Sequence, residues 1–147
     1  MTHKSLILAI AAALLGAAPA LAQDYGQVDI PADSIRFAPA IPDNPKGPHI
    51  AQLWGEASKG PHGFMIRIPA GFTSGVHVHT AGYRAVVIRG VILNAHPANK
   101  APTELPVGSY WFQPGNVVHY TACKAGTDCL AYVTFDGPFD AHPKSRP

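Results

Sequence analysis

The chain has 147 residues, including 14 Gly and 15 Pro, and its formal net charge at pH 7 is only +2. No basic run or acidic tail is present, which argues against nucleic acid and anionic membrane surfaces as partners. Because Gly and Pro interrupt the sequence every few residues, we expect few helices and a single β-rich domain.

Residues 1–22 have the three parts of a secretory signal peptide. A charged start at Lys4 precedes an apolar run, Leu6 to Ala18, and a small-residue motif ending at Ala22. The run is short for a bilayer span, so we predict cleavage after Ala22 and a periplasmic or secreted protein, with an uncleaved anchor as the alternative. Cleavage removes Lys4 and leaves about 125 residues with a formal charge of +1.

Residues 23–48 form a proline-rich segment that we predict to be an extended arm, either disordered or packed on a neighbouring subunit. The segment holds Pro31, Pro39, Pro42, Pro45 and Pro48.

A β-domain is predicted over residues 49–139, followed by a tail at 140–147. Short β-branched or aromatic segments bounded by turn residues indicate a sandwich or barrel. The predicted strands are His49 to Leu53, Gly63 to Ile68, Gly75 to His79, Tyr83 to Ile88, Val91 to Ala95, Ser109 to Gln113, Val117 to Cys123 and Cys129 to Phe135.

The chain has two cysteines, Cys123 and Cys129, which flank the turn-forming stretch KAGTD. An exported protein permits oxidation, so we predict a disulfide across this hairpin. Two free thiols or a metal pair are the alternatives.

The stretch GVHVHTAGYR places His77 and His79 two residues apart in a predicted strand. Residues i and i+2 of a strand face the same side, so one metal ion could contact both imidazoles. Two polar residues at a pocket rim would give the same pattern.

Residues 71–90 resemble the first motif of the cupin superfamily. That motif runs glycine, His-x-His, glutamate, glycine, and here Gly71, His77, His79, Tyr83 and Gly90 stand at the matching spacings. Tyr83 replaces the usual glutamate.

Residues 108–123 resemble the second cupin motif, with Gly108, Pro114 and His119 at the matching positions. Asn116 stands where a turn glycine is usual, an exchange that asparagine tolerates because it accepts positive φ. Cys123 replaces the final asparagine, in keeping with the predicted disulfide.

The resemblance implies an all-β fold, namely a small antiparallel cupin barrel or jelly roll, also called a double-stranded β-helix. It also implies that His77, His79 and His119 hold one divalent transition metal. Three-histidine cupins include dioxygenases that use ferrous iron, so iron is the preferred ion, while zinc, manganese, nickel and copper remain open.

Tyr83 is the predicted catalytic residue, because a neutral phenol is a poor metal ligand but a good hydrogen-bond donor to substrate or water. A merely packed aromatic is the alternative. Arg84 would occupy the acid position if the hairpin were one residue longer, and a guanidinium there could anchor an anionic substrate. The missing carboxylate leaves the metal charge uncompensated, which favours anionic, oxygen-bearing ligands.

Around the site we expect an aromatic pocket, with Gln113 and Trp111 as supporting or substrate-binding residues if they share the inner face. A polar turn at residues 54–63 could form a lid, and His62 within it is predicted to face solvent, as are His49, His96 and His142. The pocket candidates are Tyr110, Trp111, Phe112, Tyr120 and Phe135.

Two functions from different classes fit the sequence. The first is an exported metal-dependent enzyme, possibly a dioxygenase-type oxidoreductase, acting on a small oxygenated molecule. The second is a non-catalytic periplasmic module that binds or senses a small molecule. Glu56 and Glu104 lie in predicted loops, so no general acid or base accompanies the histidines. Apolar positions such as Val86 and Ile88 on the predicted outer face suggest a homodimer.

Overall fold

A computed structural model of the protein describes residues 26–96, 98 and 101–145. The predicted signal peptide at 1–22 lies outside these residues. No helix in the described ranges is long and apolar enough to cross a membrane. Apart from one 3-10 turn, Ala32–Ser34, the regular elements of the described residues are strands. These are β1 Ala38–Pro39, β2 His49–Gly55, β3 His62–Ile68, β4 His77–Val78, β5 Tyr83–Arg89, β6 Ile92–Ala95, β7 Thr103–Leu105, β8 Tyr110–Gln113, β9 Tyr120–Cys123, β10 Cys129–Phe135 and β11 His142–Pro143.

The largest sheet has six strands in the order β1-β2-β3-β10-β5-β8, and all of its pairings are antiparallel. Its inner face follows the two-residue period of the sequence: along β5, Tyr83, Ala85 and Val87 are buried while the residues between them are exposed. In β8 the buried positions are Trp111 and Gln113. The all-β prediction is therefore confirmed.

Two smaller sheets complete the domain, one in the order β7-β6-β9 and the other pairing β11 with β4. The core lies between the six-stranded and three-stranded sheets, because Ile92 and Cys123 of the latter pack with Phe64, Val87 and Val133 of the former. Burial of these side chains supplies the main stabilisation of the fold.

The turn before β9 has the backbone conformation that its sequence predicts. Asn116 adopts a φ of 60°, and its amide donates to the carbonyl of His79 at 2.7 Å. Asparagine adopts this left-handed conformation more readily than most residues other than glycine, as expected for the exchange.

The predicted boundaries differ from the structure at both ends of the domain. Within the segment predicted as an arm, β1 pairs with β2, and the guanidinium of Arg67 lies 4.3 Å from the centre of the Phe37 ring. Within the predicted tail, β11 pairs with β4, the strand that carries His77. Residues 38–39 and 142–143, which were predicted to lie outside the β-domain, therefore pair with its strands, although two-residue strands give almost no periodic signal in sequence.

Cys123 and Cys129 form a disulfide that joins the ends of β9 and β10. Both residues are buried in the core. The predicted bridge is confirmed.

Candidate metal centre

Backbone pairing brings His77 and His119 side by side. The two residues exchange both backbone hydrogen bonds, with N···O distances of 2.9 and 3.0 Å, across an isolated antiparallel bridge. Directly opposed residues point to the same face, so the two imidazoles meet, with ring centres 4.4 Å apart. His79 joins them because it is two residues from His77.

The three imidazoles converge on one point. The Nε2 atoms of His77 and His79 are 3.1 Å apart, and each histidine has a ring nitrogen within 4.8 Å of those of the other two. His79 and His119 are buried and His77 is partly buried. We refer to these three residues as the histidine cluster.

The outer nitrogen of each ring is held by a backbone carbonyl. His77 Nδ1 lies 2.8 Å from the oxygen of Gly75, His119 Nδ1 lies 3.1 Å from that of Val117, and His79 Nδ1 contacts that of Asp140. A carbonyl oxygen only accepts, so each Nδ1 carries the proton and each Nε2 keeps its lone pair. This donor set fits a divalent transition metal, whose histidine ligands usually donate their other N–H in this way.

Burial favours the neutral form of two of the three histidines, His79 and His119. Burial lowers the pKa of His119 to about 4, against an ordinary value of 6.5, and burial also lowers the pKa of His79. The hydroxyl of Tyr83, a residue that is only 5% exposed, lies 3.4 Å from His119 Nε2. Burial raises the pKa of Tyr83, so the phenol keeps its proton at neutral pH and acts as a donor.

Gln113 supports the cluster through Val117. Its Nε2 donates to the Val117 carbonyl at 3.1 Å, the same oxygen that holds His119, and its Oε1 accepts from Asn94 at 3.2 Å. Trp111 shares the inner face with Gln113 and lies edge-on to Tyr83, with ring centres 6.3 Å apart.

Arg84 is not brought to the site. Its guanidinium pairs with Asp136 on the outer face of β5 and lies 4.9 Å from the centre of the Phe112 ring. Since neighbouring residues of a strand face opposite sides, the burial of Tyr83 directs Arg84 away from the cluster.

A cavity of about 350 Å³ opens beside the histidine cluster. Of the five aromatic residues predicted to line it, Trp111 and Phe135 do so, whereas Tyr110 and Phe112 lie exposed on the outer face of β8 and Tyr120 is not among the lining residues. The other side chains around it are mostly aliphatic or aromatic: Ala40, Ile41, Pro48, Phe64, Ile66, Ile68, Phe72, Val76, His77, His79, Tyr83, Thr121, Val133, Phe139, Ala141 and Pro143.

Residues 139 and 140 contribute to the site without having been predicted to do so. Phe139 forms part of the cavity wall, with its ring centre 5.5 Å from that of His79. Asp140 supplies the carbonyl that holds His79, and its carboxylate accepts from the amide of Thr80 at 2.7 Å. A backbone carbonyl has no side-chain signature, so the sequence offered no signal for this contact.

The prediction that His62 faces solvent is wrong. His62 is fully buried, its Nδ1 lies 2.9 Å from the carbonyl of Gly60, and its ring stacks on Phe64 and Phe135 with centres 5.7 and 5.3 Å away. The turn that was expected to form a lid is shorter than predicted, because β2 continues to Gly55 and β3 begins at His62. His62 therefore begins a core strand instead of belonging to a polar loop.

Comparisons with known proteins agree with the fold. Residues 35–147 match a family model described as a domain of unknown function, DUF4437. No curated protein sequence matches the chain. Among solved structures, the polyketide cyclase RemF from Streptomyces resistomycificus is 14% identical with a TM-score of 0.68, covering 82% of this chain and 87% of that one.

Two further structures are similar. An RmlC-like cupin from Shewanella frigidimarina is 18% identical with a TM-score of 0.60, covering 78% of this chain and 93% of that one. The DMSP lyase DddQ from Ruegeria pomeroyi is 20% identical with a TM-score of 0.60, covering 76% of this chain and 61% of that one. Likeness at these identities shows the fold, which is the cupin fold predicted from the two motifs.

Proposed function

Since the chain belongs to the DUF4437 family, whose function is undefined, its role has to be derived from the site, and we propose that it is a metal-binding cupin acting on a small oxygen-bearing molecule. The observation that carries this proposal is the convergence of three histidine rings, each of which donates its Nδ1–H to a backbone carbonyl and so leaves Nε2 free to bind an ion. His77, His79 and His119 would hold the ion. A bound divalent transition metal would supply Lewis acidity and, if it is iron, electron exchange with dioxygen.

Within this site we propose a dioxygenase-type oxidation, with dioxygen as the second substrate. The described residues that line the cavity include no carboxylate, and Tyr83 keeps its proton because burial raises its pKa. The site therefore offers a hydrogen-bond donor but no general base of its own, which fits proton-transfer enzymes poorly. In our proposal Tyr83 orients the substrate oxygen by donating to it, and the apolar walls keep bulk water away.

The same observation favours a second candidate, a binding or sensing module. A metal site without a general base is compatible with an oxidation, and it is equally compatible with simple binding of a ligand. Turnover of substrate distinguishes the two functions, because both require the metal.

Metal analysis followed by oxygen uptake tests the proposal. Protein purified from its native compartment should contain about one metal per chain, and a panel of diketones, phenols and thiols should reveal oxygen consumption. His77→Ala should lose both metal and uptake. His49→Ala is the matched control, since His49 makes the same Nδ1 contact, 3.0 Å from the carbonyl of Gly47, outside the cluster. Full metal in His77→Ala would contradict the metal site, and metal without uptake would favour the binding module.

We also propose that the protein is exported and forms a homodimer. The disulfide between Cys123 and Cys129 supports an oxidising compartment. The dimer is supported by Val86 and Ile88, which are 39% and 44% exposed on the outer face of β5. Fractionation of cells that express the full chain tests the compartment: a mature form beginning at Gln23 outside the cytoplasm is the expected result.

A further inference from the structure

The walls of the cavity beside the histidine cluster carry almost no polar side chains. None of its described lining residues is Lys, Arg, Asp or Glu. Outside the cluster, the polar groups of the described lining residues are the hydroxyls of Tyr83 and Thr121 and the indole N–H of Trp111. The Thr121 hydroxyl already donates to Asn94 Oδ1 at 2.9 Å, whereas Trp111 Nε1 is buried without a hydrogen-bond partner. Among these lining residues, Tyr83 thus provides the O–H next to the cluster that can bind a ligand oxygen once the lone pair of His119 Nε2 is taken up by an ion.

This lining discriminates against charged molecules. A carboxylate or ammonium group buried away from the cluster would lie among apolar side chains, with the Trp111 N–H as a single neutral donor, which does not offset the cost of burying a charge. Arg84, the expected anchor for an anion, is paired with Asp136 on the outer face. Any negative charge on the ligand is therefore tolerated only at the oxygen that meets the histidine cluster.

The size of the cavity limits the ligand further. An apolar cavity of about 150 Å³ binds one benzene ring. A cavity of about 350 Å³ therefore accommodates about two rings. Aromatic walls from Phe64, Trp111 and Phe135 offer ring-to-ring contacts to a flat molecule.

We propose that the ligand is an aromatic or enolic molecule of about two rings, with one hydroxyl oxygen at the histidine cluster and no other charged group. This inference rests on the proposed metal site. The ligand oxygen meets the cluster and accepts the Tyr83 hydrogen bond, while the rings pack against the apolar walls.

Calorimetry on the zinc-loaded protein tests this inference, because zinc has no redox chemistry and leaves the probe intact. The probes are phenol, 2-naphthol and 6-hydroxynaphthalene-2-sulfonate, whose sulfonate carries a charge but is a poor ligand for zinc. We expect 2-naphthol to bind at least about tenfold more tightly than phenol, since its second ring buries further apolar surface. The sulfonate probe should bind roughly a hundredfold more weakly than 2-naphthol. Binding of the sulfonate as tight as that of 2-naphthol would overturn the inference.

Two variants localise the binding. Phe139→Ala removes a ring from the cavity wall and should weaken 2-naphthol several-fold. Phe112→Ala is the matched control, because Phe112 is similarly exposed, 48% against 47%, but lies on the outer face of β8. If both variants bind like the wild type, 2-naphthol does not occupy this cavity and the inference fails. A protein that retains no zinc contradicts the metal site itself, whereas retained zinc without naphthol binding contradicts only the ligand class.

Discussion

Acidification should destabilise the metal-free protein through His119. Burial lowers the pKa of this residue to about 4 in the folded chain, against 6.5 when it is unfolded. Between these two values the unfolded chain binds more protons, so stability falls as the pH falls. The contribution of His119 to the free energy of unfolding is fully present above about pH 6.5 and is lost as the pH falls toward 4.

The size of the effect follows from the two pKa values. For one group with a pKa of about 4 folded and 6.5 unfolded, linkage gives a loss of about 2 kcal/mol between pH 7.5 and pH 5.0. His79 adds to it in the same direction, because burial lowers its pKa too.

Urea unfolding of chelator-treated protein at these two pH values measures the loss. His119→Gln removes the titrating ring and leaves the other groups in place, so the pH-dependent loss should be smaller by about 2 kcal/mol in the variant. If that variant does not fold, the pKa of His119 is read directly by NMR in the wild-type protein. An equal loss in both proteins, or an NMR titration near pH 6.5, would refute the reasoning.

Four further predictions concern the histidine cluster, the disulfide, Asp140 and the dimer. Replacing any cluster histidine with Ala should lower zinc affinity by orders of magnitude, whereas Tyr83→Phe should leave it near wild type in a chelator competition, because the phenol is not a ligand. The native chain should weigh two daltons less than its reduced form, and the Cys123→Ala/Cys129→Ala variant should lose about 2 kcal/mol in urea unfolding, the value for a loop this short. Asp140→Ala removes the carboxylate that fixes its own carbonyl and should weaken zinc binding about tenfold in the same competition, with Asp140→Asn restoring most of the affinity. Light scattering should find a dimer that Val86→Lys converts to monomer, and a monomeric wild type would remove the dimer proposal.

The histidine cluster could be predicted only partly from local rules. Strand alternation aligns His77 with His79, whereas His119 was expected from the resemblance to the second cupin motif. The same alternation rule, applied from Tyr83, directs Arg84 to the opposite face of the strand. The wrong placement of Arg84 as a substrate anchor could therefore have been avoided. Asn116 was also predictable, since its turn position calls for a residue that accepts positive φ.

The remaining parts of the site depend on contacts between distant segments. Asp140 acts through a carbonyl 61 residues from His79, and any residue type has such a carbonyl. Ala40 and Ile41 line the cavity because β1 joins the sheet edge, which a proline-rich sequence does not suggest. His62 is buried because its strand starts earlier than the glycine-rich turn implied.

The contact between Asp140 and His79 has a consequence for the order in which the protein matures. A chain synthesised as far as Phe135 already contains every strand of the six-stranded sheet and all three cluster histidines. It still lacks the acceptor for His79 and the strand that pairs with β4. If the cluster holds a metal ion, we therefore expect its capture to follow the joining of residues 140–143 to the fold. The ion would then come from the compartment in which folding is completed, and the metal found in recombinant protein should depend on where the chain is expressed.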